Sequence, residues 1–142
     1  MRLNETLASG SSSAKAIDLL TRNRNVGLFP EGGVSRDGRL RDFHSGVAVL
    51  ALKTGRPVLP CAIIGTYRAF PRNAKFPKLF MPLTLKISKP IYLLKEFSEF
   101  IEESRLQKGV FRVRSIIEEM LSSQNDSQDK RAVNIIEKGG TR

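Results

Sequence analysis

At 142 residues, 40% of them hydrophobic, with a net charge of +10, the chain has the size of one domain and can bury a core. No run approaches the ~18 apolar residues of a membrane span, and Met1 to Ser13 holds no apolar block of the kind a secretory leader needs. One cysteine, Cys61, and one histidine, His44, exclude an internal disulfide framework, a cysteine-cluster metal site and a histidine-rich metal cage, and make a reducing, cytosolic setting the expectation.

The placement of the charge is informative. Residues 1–94 hold 15 Lys/Arg against 5 Asp/Glu, whereas residues 95–142 hold 9 of each. The whole imbalance therefore lies in the first part. Such a field draws phosphate-rich partners: nucleic acid, an anionic membrane or a phosphorylated small molecule. A merely soluble basic surface is the plainer alternative.

In chain order, Ser9-Gly10-Ser11-Ser12-Ser13 reads as a loop from which Ser12 or Ser13 caps a helix over Ala14 to about Arg22. Ala16, Ile17, Leu19 and Leu20 form its apolar stripe, and Asn23 and Asn25 close it. Val26–Phe29 is expected to be a buried strand that stops at Pro30, which cannot donate to a sheet ladder. Glu31, Gly32, Gly33, Val34, Ser35 and Arg36 follow. Two glycines let the backbone turn sharply and approach a ligand, and free N–H groups with an arginine suit a phosphate. A strand-to-loop turn with charged surface residues fits the same stretch. Arg36-Asp37-Gly38-Arg39 is a turn.

Ser45 is expected to cap a second, buried helix over Val47 to Thr54, with Gly55 in the C′ position and Pro57 beyond it. Val58–Ile64 is a nearly continuous apolar run, read as a strand. Strand, helix, strand, with both strands buried on two faces, is the pattern of a crossover unit in an α/β sheet. Pro71, Pro77 and Pro82 leave no room for a long element over residues 66–82. Leu83–Ile87 alternates as a strand, and Lys95 to about Ser104 reads as a helix or a loop with a helical turn. A firmer helix carries Leu106, Val110, Val113, Ile117, Met120 and Leu121 on one face. The expected organisation is a domain over residues 1–121 and a polar tail over 122–142, with room for a short helix near Val133–Glu137.

Several side chains could carry chemistry. His44 has no carboxylate at a spacing that would orient it and stands at a helix entry, where the dipole disfavours a cation, so a structural or substrate-lining role outweighs a catalytic one. Cys61, inside an expected buried strand, reads as an inert thiol. Glu31, fixed between Pro30 and Gly32, can orient a substrate hydroxyl, hold a neighbouring arginine or lie on the surface. Arg36, Arg39 and Arg41 can bind phosphate or be solvated. Residues 67–82 alternate large apolar side chains with cations and contain no acid. That mixture suits an anionic lipid interface, with Phe76, Leu79, Phe80 and Met81 dipping inward; equally, the aromatics could pack on the protein's own core. Single-stranded nucleic acid is a weaker fit, since no stacking platform or zinc spacing accompanies it, and no nucleic-acid partner is expected.

The block Val26-Gly27-Leu28-Phe29-Pro30-Glu31-Gly32 with Ser35, continued by Asp37-Gly38-Arg39-Leu40, Phe43 and Gly46, resembles the Phe-Pro-Glu-Gly block of the glycerol-3-phosphate/lysophosphatidate acyltransferase family. Gly55-Arg56-Pro57-Val58-Leu59-Pro60-Cys61-Ala62-Ile63 resembles that family's proline-containing fourth block. The resemblance covers Ala14 to Gly65 well and extends loosely to Tyr92. It implies an α/β fold, a buried sheet flanked by helices, of which this chain is an N-terminally truncated part. It also implies transfer of an acyl group from acyl-CoA or acyl-carrier protein, the co-substrate, to a lysophosphatidate-like acceptor, with no metal or prosthetic group. The setting implied is an anionic membrane surface, peripheral on its cytoplasmic, inner face. By the same resemblance, Glu31, Gly32, Gly33, Ser35 and Arg36 shape the acceptor site, with Arg2 standing about where a second phosphate-binding arginine falls. Pro57, Val58 and Pro60 wall the acyl-donor side. The family pattern also has a His-x-x-x-x-Asp block holding the general base. Here His44 follows the glutamate block and has Val49 five residues on, and Val34 stands where the family commonly has arginine. A fragment, a mis-called start or a non-catalytic remnant with little turnover is the expectation, and a non-catalytic peripheral membrane or phosphate-binding module is the alternative.

Overall fold

The computed structural model describes residues 12–93 and 101–123. Its elements are α1 (Ser12–Thr21), α2 (Gly46–Thr54), β1 (Cys61–Ile64), α3 (Thr66–Ala69), β2 (Thr84–Ile87) and α4 (Glu103–Ser122). The fold is α/β, a small sheet flanked by helices. The expected helix over residues 95–104 falls partly outside the described residues, as do the tail beyond residue 123 and Arg2.

The core lies where α4 packs on both α2 and the covered face of the sheet, and α1 packs on α2 as well. Ala48, Val49 and Leu52 of α2 pack with Ile101, Leu106 and Val110. Val47 packs with Ala62 of β1 and with Val113 and Ile117 of α4. The two clusters share Phe43, which carries the chain from the glycine-containing loop into the core. α2 is apolar almost all round, as its sequence suggests, because it is contacted on two sides. It can approach α4 closely because Gly109 faces Ala48: a Cβ at Gly109 would lie 3.0 Å from the Ala48 Cβ. α4 has a narrower stripe, with Leu106, Val110, Val113 and Ile117 buried and Met120 and Leu121 packed beside them.

The ends of the helices follow local chemistry. Asn23, at φ 58°, turns the chain after α1, and the Arg24 N–H donates to the Leu19 carbonyl at 2.9 Å. Arg56 then ties this end to α2: its Nε donates to the Leu20 carbonyl at 3.1 Å and its Nη2 to the Asn23 Oδ1. Gly55 closes α2 at φ 68°, donating its N–H to the Ala51 carbonyl, as expected of a left-handed glycine cap. Ser45 occupies the N-cap position of α2, but its side chain makes no capping bond and its backbone is already helical, so the expected side-chain cap is replaced by backbone continuity.

The sheet departs from expectation in two respects. Val26–Phe29 is not a strand; Leu28 is 40% and Phe29 80% exposed. The sheet instead pairs β1 antiparallel to β2, with Cys61 opposite Ile87 and Ile64 opposite Thr84, extended by a bridge between Val58 and Ile91. The expected parallel crossover is therefore absent from the described residues. A two-strand ribbon needs a covering element, and α4 supplies it on one face, which buries Ala62. The other face, with Ile63, Leu85 and Ile87, is open. Cys61 begins β1 on that face and is exposed, not buried as its apolar neighbours suggest: strand alternation, and not the hydrophobicity of the run, decides its side. Lys86 lies on the covered side, and its Nζ reaches the Met120 carbonyl at 2.6 Å and the Ser123 Oγ at 2.8 Å. A cation at the carboxyl end of α4 is favourably placed against the helix dipole.

Candidate functional site

The loop between residues 29 and 46 is built on its own hydrogen bonds. The Gly32 N–H donates to the Phe29 carbonyl at 3.2 Å, and the His44 N–H donates to the Pro30 carbonyl at 2.9 Å. Gly32 has φ 63°, where a β-carbon is disfavoured. The His44 ring lies directly over it: a Cβ at Gly32 would fall 2.6 Å from the ring Cδ2 and Nε2. The glycine is thus required twice, for its backbone angle and for the imidazole. Gly33 plays a similar part beside Arg41, whose Nη1 would be 2.7 Å from a Cβ there.

Glu31 links the two halves of the loop. Its Oε2 accepts the Arg41 N–H at 2.8 Å. Of the roles open to it from sequence, the one seen is a grip on residue 41, through the backbone N–H and not through the guanidinium. Ser35 holds the next turn. Its hydroxyl donates to the Arg39 carbonyl at 2.8 Å and accepts the Gly38 N–H at 2.9 Å. The Arg39 N–H donates to the Asp37 Oδ1 at 3.0 Å, and this bond holds the Asp37 carboxyl below its ordinary value. Gly38, at φ 83°, lies under the Tyr67 ring, and the Tyr67 hydroxyl donates to the Arg36 carbonyl at 3.2 Å. α3 is thereby clipped to the turn. This contact, 31 residues apart in sequence, had no local signal.

These bonds fold Arg36, Arg39 and Arg41 around an open concavity of about 380 Å³, lined also by Asp37 and Leu40. Leu40 packs its side chain on the second core cluster, which anchors the concavity. On α4, Arg114 reaches Glu118 at 3.0 Å and Asp42 at 4.0 Å. The chemistry on offer is anion binding: three guanidinium groups, each a planar fork that matches phosphate, beside two glycines whose missing Cβ lets the His44 ring and the Arg41 guanidinium lie against the backbone. A metal centre has no donor set, since no group of three or more His, Cys, Asp or Glu is gathered among the described residues. The His44 ring accepts no hydrogen bond from, and donates none to, a carboxylate among the described residues. No helix among them is long and apolar enough to cross a membrane.

The three residues expected on the acyl-donor side are dispersed in burial. Pro57 is exposed. Val58 packs against the second core cluster, and Pro60 is among the largest fully buried side chains. Glu31, Gly32, Gly33, Ser35 and Arg36 are brought together in one loop, joined by Arg39 and Arg41, whose part in the concavity depends on the fold of the turn.

A model of the acyltransferase family matches residues 2–64. Over 85 residues the chain is 38% identical to a 1-acyl-sn-glycerol-3-phosphate acyltransferase of Limnanthes douglasii, covering 59% of this chain and 30% of the relative. Over 69 residues it is 36% identical to one of Borreliella burgdorferi, covering 49% and 28%. Among solved structures it resembles the 1-acyl-sn-glycerophosphate (LPA) acyltransferase PlsC of Thermotoga maritima, with a TM-score of 0.60 and 28% identity over 80% of this chain and 44% of that one. The chain therefore spans less than a third of these curated relatives and under half of the solved structure. The family match takes in the whole arginine-bearing loop, α2 and β1, and it is through these residues that the chain is similar to the acyltransferases.

Proposed function

We propose that the chain carries the acceptor-binding part of an acyltransferase of phospholipid biosynthesis, acting peripherally at the cytoplasmic face of a membrane. The acceptor is lysophosphatidate or a related glycerol phosphate, and the donor is acyl-CoA or acyl-carrier protein. One observation carries the reading: the bond from Glu31 to the Arg41 N–H folds an arginine-rich turn over the Gly32–Gly33 backbone. Arg36, Arg39 and Arg41 take the acceptor phosphate by charge-assisted bonds. Gly32 and Gly33 shape the acceptor site by letting His44 and Arg41 lie against the backbone, and Ser35 keeps the turn in shape. Arg2 adds a further cation, while Pro57, with Val58 and Pro60 behind it, forms the acyl-donor side.

In the transfer itself the acceptor hydroxyl oxygen attacks the thioester carbonyl. The new carbon–oxygen bond forms, the carbon–sulfur bond breaks, a base takes the hydroxyl proton, and the thiolate leaves to be protonated. N–H donors must stabilise the oxyanion. His44, resting on Gly32, lines the acceptor and has, among the described residues, no carboxylate partner of the kind a general base uses. A positioned base contributes about 10² to 10⁴ in rate, and this polypeptide by itself is expected to fall short by about that factor. The assay is acyl-CoA with lysophosphatidate. Robust turnover abolished by His44→Ala would overturn the assignment of His44. Lysophosphatidate binding is expected to weaken about threefold to tenfold for each of Arg36→Gln, Arg39→Gln and Arg41→Gln, and unchanged affinity in all three would sink the acceptor site.

That no carboxylate among the described residues partners His44 also favours a second reading, a non-catalytic peripheral phosphate- or membrane-binding module. Vesicle binding that survives both high salt and Glu31→Ala, with no acyl transfer, would select it.

A further inference from the structure

The structure leaves one conspicuous group of side chains without a role in the acceptor site. After α3 the chain runs through Phe70, Phe76, Leu79 and Phe80, which are 52%, 80%, 77% and 101% exposed. Between them stand Arg72, Lys75 and Lys78, with Arg68 just before, and no acid lies between Asp42 and Glu96. The loop is not slack. The Lys78 N–H donates to the Ala69 carbonyl at 2.7 Å and closes its base, and the Ala74 N–H donates to the Pro71 carbonyl at 2.9 Å. Its far end returns to its start: a Cβ at Gly65 would lie 2.6 Å from the Pro82 carbonyl oxygen. Phe80 has φ 63°, a left-handed angle that a bulky residue adopts only when something holds it there, and its ring stands wholly outside the protein. Large apolar side chains held outward on a closed loop, with cations interleaved, match a lipid interface: rings and leucine below the headgroups, lysines and arginines among them.

We propose that residues 70–81 are a membrane-docking loop for an anionic bilayer, with Phe76, Leu79 and Phe80 as the inserting side chains and Lys75 and Lys78 as the headgroup contacts. The charge selects the occupant. A run of cations without a single acid complements phosphatidylglycerol-like headgroups, and the three prolines at 71, 77 and 82 oppose pairing of the loop as a strand with another protein. The Tyr67 hydroxyl bond to the Arg36 carbonyl joins this loop through α3 to the arginine turn. Docking would therefore hold the turn near the headgroup layer, where a lysophospholipid presents its phosphate. That orienting consequence rests on the acyltransferase reading; the docking itself does not.

The chain contains no tryptophan, so Phe80→Trp places a single reporter at the tip. Phosphatidylcholine vesicles with and without phosphatidylglycerol are the probe. With the anionic vesicles the Trp emission is expected to shift to the blue and the chain to co-sediment. Combined Phe76→Ser, Leu79→Ser and Phe80→Ser substitutions are expected to weaken binding at least about tenfold. Lys75→Gln and Lys78→Gln are expected to weaken it about fivefold each. Phe111→Ser, on exposed α4 surface (72%), should change nothing and controls for general stickiness. Undiminished binding by the triple variant, an unshifted Trp emission, or no binding to anionic vesicles overturns the proposal. So does self-association abolished by the triple variant without vesicle binding, which would assign the loop to a protein contact. Loss of lysophosphatidate binding with intact vesicle binding refutes the acceptor site and leaves the docking loop standing.

Discussion

Gly32 shows how much can depend on a missing β-carbon. Its φ of 63° and the imidazole over its Cα each resist a side chain, and a left-handed angle alone costs a non-glycine residue about 1–2 kcal/mol. Gly32→Ala is therefore expected to lower stability by at least about 1 kcal/mol in urea unfolding, and to weaken phosphate binding as His44 is displaced. Asp37 makes a complementary prediction for pH. Its carboxyl titrates below the ordinary 3.8 in the folded chain, chiefly because the Arg39 N–H donates to it. A lowered folded value means that the carboxylate favours the fold at pH above 3.8 and that this support is lost as pH falls below it. Acid titration by amide NMR should show the Gly38 and Arg39 signals moving in that window, before the core amides; Asp37→Asn should remove the transition. The part of Glu31 was only half legible at this scale. Its type and its neighbours marked it as important, but whether it would face a ligand, a guanidinium or a backbone N–H depended on where residue 41 came to lie.

Among the elements, α4 does most to hold the site. Leu106 is 1% exposed and Val113 2%, and the stripe that contains them meets both α2 and β1. Leu106→Ala removes a fully buried side chain and is expected to cost about 2–5 kcal/mol, a large part of the stability of a small domain. Chemical denaturation followed by circular dichroism should show it, and binding of phosphate by the native fraction should be unchanged, because Leu106 lies in the core beneath the loop and does not line the arginine concavity. The period of α4 was plain in sequence because one face is buried along its length. α2 was plain too, from its bounding Ser45 and Gly55, although Ser45 makes no side-chain cap. Val26–Phe29 was misleading. Its apolar composition suits a strand, but a strand exists only with a partner, and among the described residues none pairs with it.

For the whole molecule, the uneven covering of the sheet matters most. α4 covers the face with Ala62 and Lys86, while Ile63, Leu85 and Ile87 are 47%, 58% and 60% exposed on the other. A contiguous apolar face of this kind drives association, so the chain is expected to self-associate with rising concentration. Leu85→Thr with Ile87→Thr should shift sedimentation toward the monomer without lowering the melting temperature, since neither side chain is buried. Local chemistry was enough to establish α1, α2 and α4, the turns at Gly38 and Gly55, the basic half of the chain and the Phe-Pro-Glu-Gly block, because each depends on neighbours within a few residues, whereas the short α3 between prolines carried no such signal. The antiparallel pairing of β1 and β2, the exposure of Cys61, and the tying of the arginine turn to Glu31 at residue 41 and to Tyr67 at residue 36 were decided by tertiary structure. Strand partners and long-range hydrogen bonds join residues whose separation along the chain carries no periodic signal, and only the packed core brings them within reach.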